Sequence, residues 1–305
     1  MIIIRAYLNH PEFFLGIPLL VTATQLLALV SYPVMDQPEH RMLIHLMLPV
    51  LVVAIILLPL ARYTIKTLTR PLFALILFSM LAYGLTGMLA LLTGISGYAL
   101  FIASICSSAV ITLIVIKYPE WYVLSIVCVL FSASTAVYLI ILLSSIITPV
   151  TLLLPFIVLL LVVSAIFDYI TVNITKHMVI LGNALQHHRF PMFIIREMSG
   201  LHVKKISDRA SRDSVIRGYF LAPGDAIVPA ILVISVNEFM DAPYLYFINI
   251  PAIFTLAGTM LGCLVLVDNV LKKNRQQAGL PFLCTGAISG LAAWYAFIQF
   301  LSPVF

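Results

Sequence analysis

Nine separate stretches of this chain are long and apolar enough to cross a bilayer as helices. They run approximately over 13–34, 43–61, 71–92, 98–116, 122–146, 150–172, 217–238, 248–271 and 281–301. A spanning helix needs about 20 mostly apolar residues, and in lipid every backbone N–H and C=O must find its partner inside the protein. That requirement leaves few architectures open. The breaks are short and carry turn or charge signals, such as Asp36-Gln37-Pro38, Lys117-Tyr118-Pro119-Glu120 and Asp241-Ala242-Pro243. Composition agrees, with 62% hydrophobic residues, 10% charged residues and a mean hydropathy of +1.13. A soluble domain averages about 45–50% apolar and about 25% charged. The expected fold class is an all-α integral membrane protein of nine transmembrane helices.

Basic residues orient this bundle. With nine spans the N-terminus and the even-numbered loops share one side, and of the 17 Lys and Arg residues only Arg41 falls opposite. The excess of positive charge marks the cytoplasmic side, so the N-terminus is expected inside and the C-terminus outside. The chain then divides into transmembrane helices one to six over 1–172, a cytoplasmic loop over 173–216, and helices seven to nine over 217–305. The loop mixes Lys204-Lys205-Ile206-Ser207-Asp208-Arg209 with an apolar patch, Phe190-Pro191-Met192-Phe193-Ile194-Ile195, that reads as a short strand or an interfacial segment. A net charge of +5 and a pI near 9.0 would suit nucleic acid. No soluble basic domain exists to bind it, however, and orientation alone explains the charge. The expected partner is the lipid bilayer, with no nucleic acid. The apolar run after Met1-Ile2-Ile3-Ile4-Arg5 lacks a small-residue cleavage site and reads as a retained first span. Cys106, Cys128, Cys263 and Cys284 lie in apolar segments without CxxC or Cys-His spacing, which suits small packing residues rather than disulfides or zinc ligands.

Two acids interrupt the apolar pattern. Asp168 lies in the sixth stretch and Asp225 in the seventh, and a charge at membrane depth costs several kcal/mol unless it is paired or functional. Lys176 follows Asp168 by eight residues and Arg217 precedes Asp225 by eight. If the intervening residues are helical, both carboxyls lie ~12 Å inside their basic anchors. Consecutive spans are antiparallel and usually adjacent, so the two acids can face each other. Such a pair holds one proton between its members. The ionised member takes a proton from water as that water attacks a carbonyl, while the protonated member donates to the carbonyl oxygen. A buried acid pair equally serves a proton- or cation-coupled transporter or channel. On the residues alone both readings stand.

Three segments separate them by resemblance. Phe167-Asp168-Tyr169-Ile170-Thr171-Val172-Asn173 resembles the Tyr-Asp segment of presenilins and signal peptide peptidases. Ala222-Pro223-Gly224-Asp225-Ala226-Ile227-Val228-Pro229 resembles their Gly-x-Gly-Asp segment, and Gln277-Ala278-Gly279-Leu280-Pro281 is similar to their Pro-Ala-Leu motif. The three occur in family order on the sixth, seventh and ninth spans, and the likeness is greatest to the archaeal homologues. Departures are Phe167 for Tyr, Ala222 for the first Gly, and Ala278 and Gly279 for Pro and Ala. The resemblance implies a presenilin-like fold and an intramembrane aspartyl endopeptidase. Asp168 and Asp225 would be its catalytic pair, and Phe167, Pro223, Gly224, Ala278, Gly279, Leu280 and Pro281 would bind substrate. Gly224, lacking Cβ, would let a substrate backbone approach closely. The implied partners are transmembrane protein or peptide substrates, with no obligatory partner subunit, and the implied location is an archaeal cell membrane, as a multi-pass protein. No metal or organic cofactor is implied, since water is the nucleophile.

Other polar residues read as structural. Asp268 and Lys272 have the spacing of an i,i+4 pair. Glu238 and Asp241 fall at the outer end of the seventh stretch, and Trp121 and Tyr122 beside Glu120 suit interface anchors. His187-His188 lacks further ligands, and Gly84-Leu85-Thr86-Gly87 suits close helix packing.

Overall fold

The computed structural model describes residues 11–35, 66–93, 98–118, 120–175, 193–196, 218–273 and 277–301. The expected span over 43–61, most of the loop over 173–216, Arg41 and His187-His188 lie outside the described residues. In chain order the helices are α1 (Pro11–Met35), α2 (Lys66–Thr93), α3 (Tyr98–Lys117), α4 (Trp121–Ile146), α5 (Leu153–Tyr169), α6 (Pro223–Phe239), α7 (Ile250–Lys273) and α8 (Leu280–Leu301). Two short antiparallel pairs join them: β1 (Phe193–Arg196) with β2 (Gly218–Leu221), and β3 (Tyr244–Leu245) with β4 (Ile248–Asn249).

Among the described residues, six helices are long and apolar enough to cross a membrane: α1, α3, α4, α5 with its continuation to Ile174, α7 and α8. Their outer faces carry Leu113, Ile116, Ile126, Leu159 and Leu261, all exposed. In water so much apolar surface would be a liability; against lipid it is the solvated face. Three of the four cysteines are buried packing residues as expected, whereas Cys106 is exposed on α3.

Helix α6 is the hub. It packs against α1, α4, α5, α7 and α8, and its residues from Ala230 to Asn237 are all buried. Its 17 residues reach only ~26 Å, short of the ~30 Å hydrocarbon core. The sequence pattern predicts one helix over 217–238, and here the structure differs: 218–221 form β2, and the helix begins at Pro223. The reason is local. Proline has no N–H to continue a helix backwards and its fixed φ suits the first helical position, while Ala222 before it is extended (φ −70°, ψ 146°). Strand β2 meets its backbone requirement by pairing with β1 in the register Phe193↔Leu221 to Arg196↔Gly218. Strand β1 also packs on α1 and α4, so protein lies beside this irregular backbone. The strand-like alternative for the patch ending at Ile195 is the one adopted.

Asn249 ties the far end of α6 to the start of α7. Its Nδ2 donates to the carbonyls of Val236 (2.7 Å) and Asn237 (3.1 Å), and Tyr244 OH donates to the same Asn237 carbonyl at 2.7 Å. Asn249 Oδ1 accepts the N–H of Ala252 (2.8 Å) in the first turn of α7. A single amide thus caps the end of one helix and the start of the next. Asn237 Oδ1 returns a bond from the Asn249 N–H at 2.8 Å.

Helices α7 and α8 approach more closely than any side chain would allow. A Cβ at Gly258, Gly262, Gly286 or Gly290 would run into backbone of the facing helix, for instance 2.9 Å from Gly290 Cα in the case of Gly258. Both helices therefore carry glycines four apart on the shared face, the small-residue packing used within membranes. Gly84 likewise sits against Ser134, where α2 meets α4. The Asp268–Lys272 ion pair forms within α7 as its spacing predicts. Replacing Asn249 with Ala should destabilise the protein by about 1–3 kcal/mol, because the Val236 carbonyl and the Ala252 N–H lose their side-chain partner. Unfolding in detergent followed by circular dichroism checks this, with Asn237→Ala expected to act in the same direction.

Candidate active site

Asp168 occupies the last full turn of α5. Residues 167 and 169 on either side are more than half exposed, at 59% and 55%, while Asp168 itself is buried. A helix turns about 100° per residue, so one position can face the bundle while both neighbours face out. Directly beyond it the helix widens into a π-turn, Ile170–Ile174, closed by Thr175 N–H on Ile170 C=O at 3.0 Å. Such turns concentrate at functional sites. Thr171 Oγ1 donates to the Asp168 carbonyl at 3.1 Å, which steadies the junction.

Asp225 is the third helical residue of α6, with its own N–H on the Ala222 carbonyl at 3.1 Å. The first turn of a helix leaves N–H groups unpaired and carries partial positive charge, an environment that suits a carboxylate. Beneath Asp225 lies an apolar cluster that includes Ile17, Val21, Leu221, Ala226, Cys263 and Leu283. Water has no polar partners there. The Pro223 carbonyl at the start of α6 accepts a long bond from Ser132 Oγ of α4, at 3.4 Å.

The start of α8 brings the two acids together. Gly279 C=O accepts the first helical bond, from Leu283 N–H at 3.3 Å, so Gly279 is the N-cap and the Leu280 N–H is one of the unpaired donors. That N–H bonds Asp168 Oδ2 at 3.1 Å. On the other side, a Cβ built on Gly279 would lie 2.6 Å from Asp225 Oδ2 and 2.9 Å from its Cγ. One dipeptide therefore touches both carboxyls. Each acid also meets a helix N-terminus: Asp225 that of α6, Asp168 that of α8.

The remaining residues singled out in the sequence distribute around this point. Ala278 is buried, Leu280 is half-buried, and Pro281 lines an apolar cavity of about 340 Å³ between α5 and α8, with Val162, Ile166 and Tyr169 opposite. Gly224 is half-buried, and a Cβ there would meet nothing within 4 Å. Phe167 faces outward, away from the convergence of the acids. Sequence reasoning passed over Ser132, since nothing marks it among the many small residues of its helix. It placed the start of α8 within one residue, at 281, but set the start of α6 at 217, although Pro223 at a first-turn position signals the later start.

Comparison with known proteins places the chain in a family. The family described as signal-peptide peptidase, presenilin aspartyl protease matches residues 18–300. Two solved structures are similar along nearly the whole chain, both of a presenilin family intramembrane aspartate protease. The one in a C222 crystal form is 28% identical, with a TM-score of 0.61, covering 93% of this chain and 99% of its own. The one in a P2 form is 27% identical, with a TM-score of 0.57, covering 93% and 97%. No curated protein matches the chain. The chain belongs to the signal-peptide peptidase and presenilin family of aspartyl proteases. Membership favours proteolysis over the transporter alternative.

The open space at Gly224 yields a direct expectation. Gly224→Ala should leave thermal stability within about 0.5 kcal/mol of wild type, as an unobstructed substitution does. Unfolding midpoints in detergent measure it.

Proposed function

We propose that this protein is an intramembrane aspartyl endopeptidase that hydrolyses peptide bonds of transmembrane substrates, with Asp168 and Asp225 as its catalytic pair. The single observation that carries this reading is the convergence of both carboxyls on Gly279-Leu280 in a chain of this family. With one proton between them, the ionised carboxylate accepts a proton from water as the oxygen bonds the peptide carbonyl carbon. The protonated member gives its proton to the carbonyl oxygen, producing a neutral tetrahedral diol. In the second step a diol hydroxyl returns its proton to the carboxylate. The amide nitrogen takes a proton from the other acid, and the C–N bond breaks to leave a carboxylic acid and an amine. Each acid ends ready for another cycle.

A peptide bond inside a helix is shielded by its own hydrogen bonds, so the substrate must unwind locally before water reaches it. Gly224 with its open flank, Pro223, Ala278, Leu280 and Pro281 surround the place where an extended segment would lie, and Gly279 separates the acids there. Phe167, at the outer face of α5, would meet substrate as it approaches through lipid. Strand β2 runs directly into α6 and ends four residues before Asp225, so an extended substrate adding to a strand edge would bring its backbone beside the acids. Nine spans over the three segments 1–172, 173–216 and 217–305, with the N-terminus cytoplasmic, complete the proposed topology. That orientation favours substrates whose own N-terminus lies outside. The proposed setting is an archaeal cell membrane, with the chain acting as a single uncut polypeptide without partner subunits.

Purified protein in liposomes with a single-span substrate tests the reading. Wild type should cleave, and Asp168→Asn and Asp225→Asn should each reduce cleavage by at least about 1,000-fold, because removing a member of a catalytic unit removes most of its effect. Equal cleavage by all three proteins would sink it. Proton-driven solute uptake that is lost in Asp225→Asn, without proteolysis, would support the transporter instead.

A further inference from the structure

We propose that the β3–β4 hairpin is a membrane anchor: its turn is seated in the lipid interface opposite the Asp268–Lys272 pair and holds the end of α6 there. The argument begins with Tyr246. Among the described residues it is the one non-glycine at positive φ (62°), and it is 93% exposed. A two-residue hairpin turn asks for positive φ at its first central position, where glycine or asparagine is the favoured occupant. A tyrosine there strains the backbone, and a ring so exposed gains little from the protein in return. Tyr244, Leu245 and Phe247 around it are each more than half exposed as well.

The pattern of exposure says what covers these side chains. Successive strand residues point to opposite faces, so Tyr244 and Leu245 leave both faces of the hairpin apolar. A docked protein covers one face, whereas a surrounding medium covers both. The chain is also free of charged residues and histidine from Ala242 to Val267, which suits lipid better than water.

Helix α7 fixes the height. Ile250, directly after the hairpin, precedes Asp268 by 18 residues, which is ~27 Å of helix. The Asp268–Lys272 ion pair marks one boundary of a hydrocarbon core ~30 Å thick. The hairpin therefore straddles the opposite boundary, where amphipathic aromatic rings are enriched. The end of α8 reaches the same side. Trp294 packs against Phe254 of α7 with ring centres 5.7 Å apart, and beyond it Phe300 is exposed.

What the turn grips is passed to α6 by short bonds. Tyr244 OH donates to the Asn237 carbonyl at 2.7 Å, and the Asn249 N–H donates to Asn237 Oδ1 at 2.8 Å. The Ile250 N–H closes the base of the hairpin on the Pro243 carbonyl at 3.0 Å. Asp225 stands at the other end of the same helix, so an anchored hairpin fixes the height of that carboxyl in the bilayer.

Nitroxide labels placed through Tyr246→Cys and, separately, Phe247→Cys test this in liposomes. The background carries Cys106→Ser, since the other three cysteines are buried. Electron paramagnetic resonance reads collisions with oxygen, which concentrates in lipid, and with a nickel chelate, which stays in water. A third label through Leu113→Cys, on the exposed face of α3, marks the hydrocarbon. Both hairpin labels should give an oxygen-to-nickel ratio between that of the third label and that of free label in buffer. A ratio equal to free label would put the turn in water and overturn the proposal. So would shielding from both reagents, or spin–spin broadening, because a partner protein or a second copy would then cover the turn. Anchoring is read by adding Leu245→Ser and Phe247→Ser, which should shift the label at 246 toward the aqueous ratio. Leu245→Ile with Phe247→Trp should hold the original value. An unshifted ratio in the serine variant would overturn the anchor, since the helices alone would then set the height. If the serine variant loses its helical circular dichroism, the same comparison is made with Phe247→Ser alone. None of these readings depends on whether the chain cleaves peptide bonds.

Discussion

Two carboxyl groups at membrane depth impose the central constraint on this protein. Lipid supplies no partners for them there, so the protein has to. Asp225 sits in the first turn of α6, and Asp168 accepts the Leu280 amide at the first turn of α8. Helix starts are the part of a membrane protein where unpaired N–H groups are available without breaking regular structure. Placing both acids at such starts sets each against partial positive charge and brings them onto a common dipeptide.

The rest of the bundle keeps those two helix starts in place. Helix α6 is enclosed by α1, α4, α5, α7 and α8, so its first turn is fixed from most directions. Its far end is tied to α7 through Asn249. Helix α7 in turn locks to α8 through glycines on both faces, which leaves the start of α8 little room to drift. A chain of backbone-close contacts thus runs from α6 through α7 to α8 and returns to Asp168. Family membership supplies the class of chemistry, and this chain of contacts supplies the geometry from which the roles of Asp168 and Asp225 are proposed.

Much of this was legible in the sequence because lipid simplifies the code. Helices announce themselves by apolar length, and a carboxylate in such a run is conspicuous. Asp168, Asp225, the Asp268–Lys272 pair and close packing at Gly84 were all readable from spacing. The start of α6 was harder to read. Residues 218–221 are as apolar as a helix would be, and only pairing with β1 makes them a strand. Hydropathy reports burial and not backbone conformation. Phe167 shows a second limit: the family motif marks its place in the chain, while only the packed helix shows that its side chain faces outward.

What the sequence determined by itself was the solvent, the helical class and the two acids, since each depends on residue type and local spacing. What only the tertiary structure decided was their mutual arrangement. The Asp168 bond to Leu280 spans 112 residues of chain, and no local pattern encodes a contact at that separation. The closeness of Gly279 to Asp225 is the same kind of fact, since it exists only once α6 and α8 have packed.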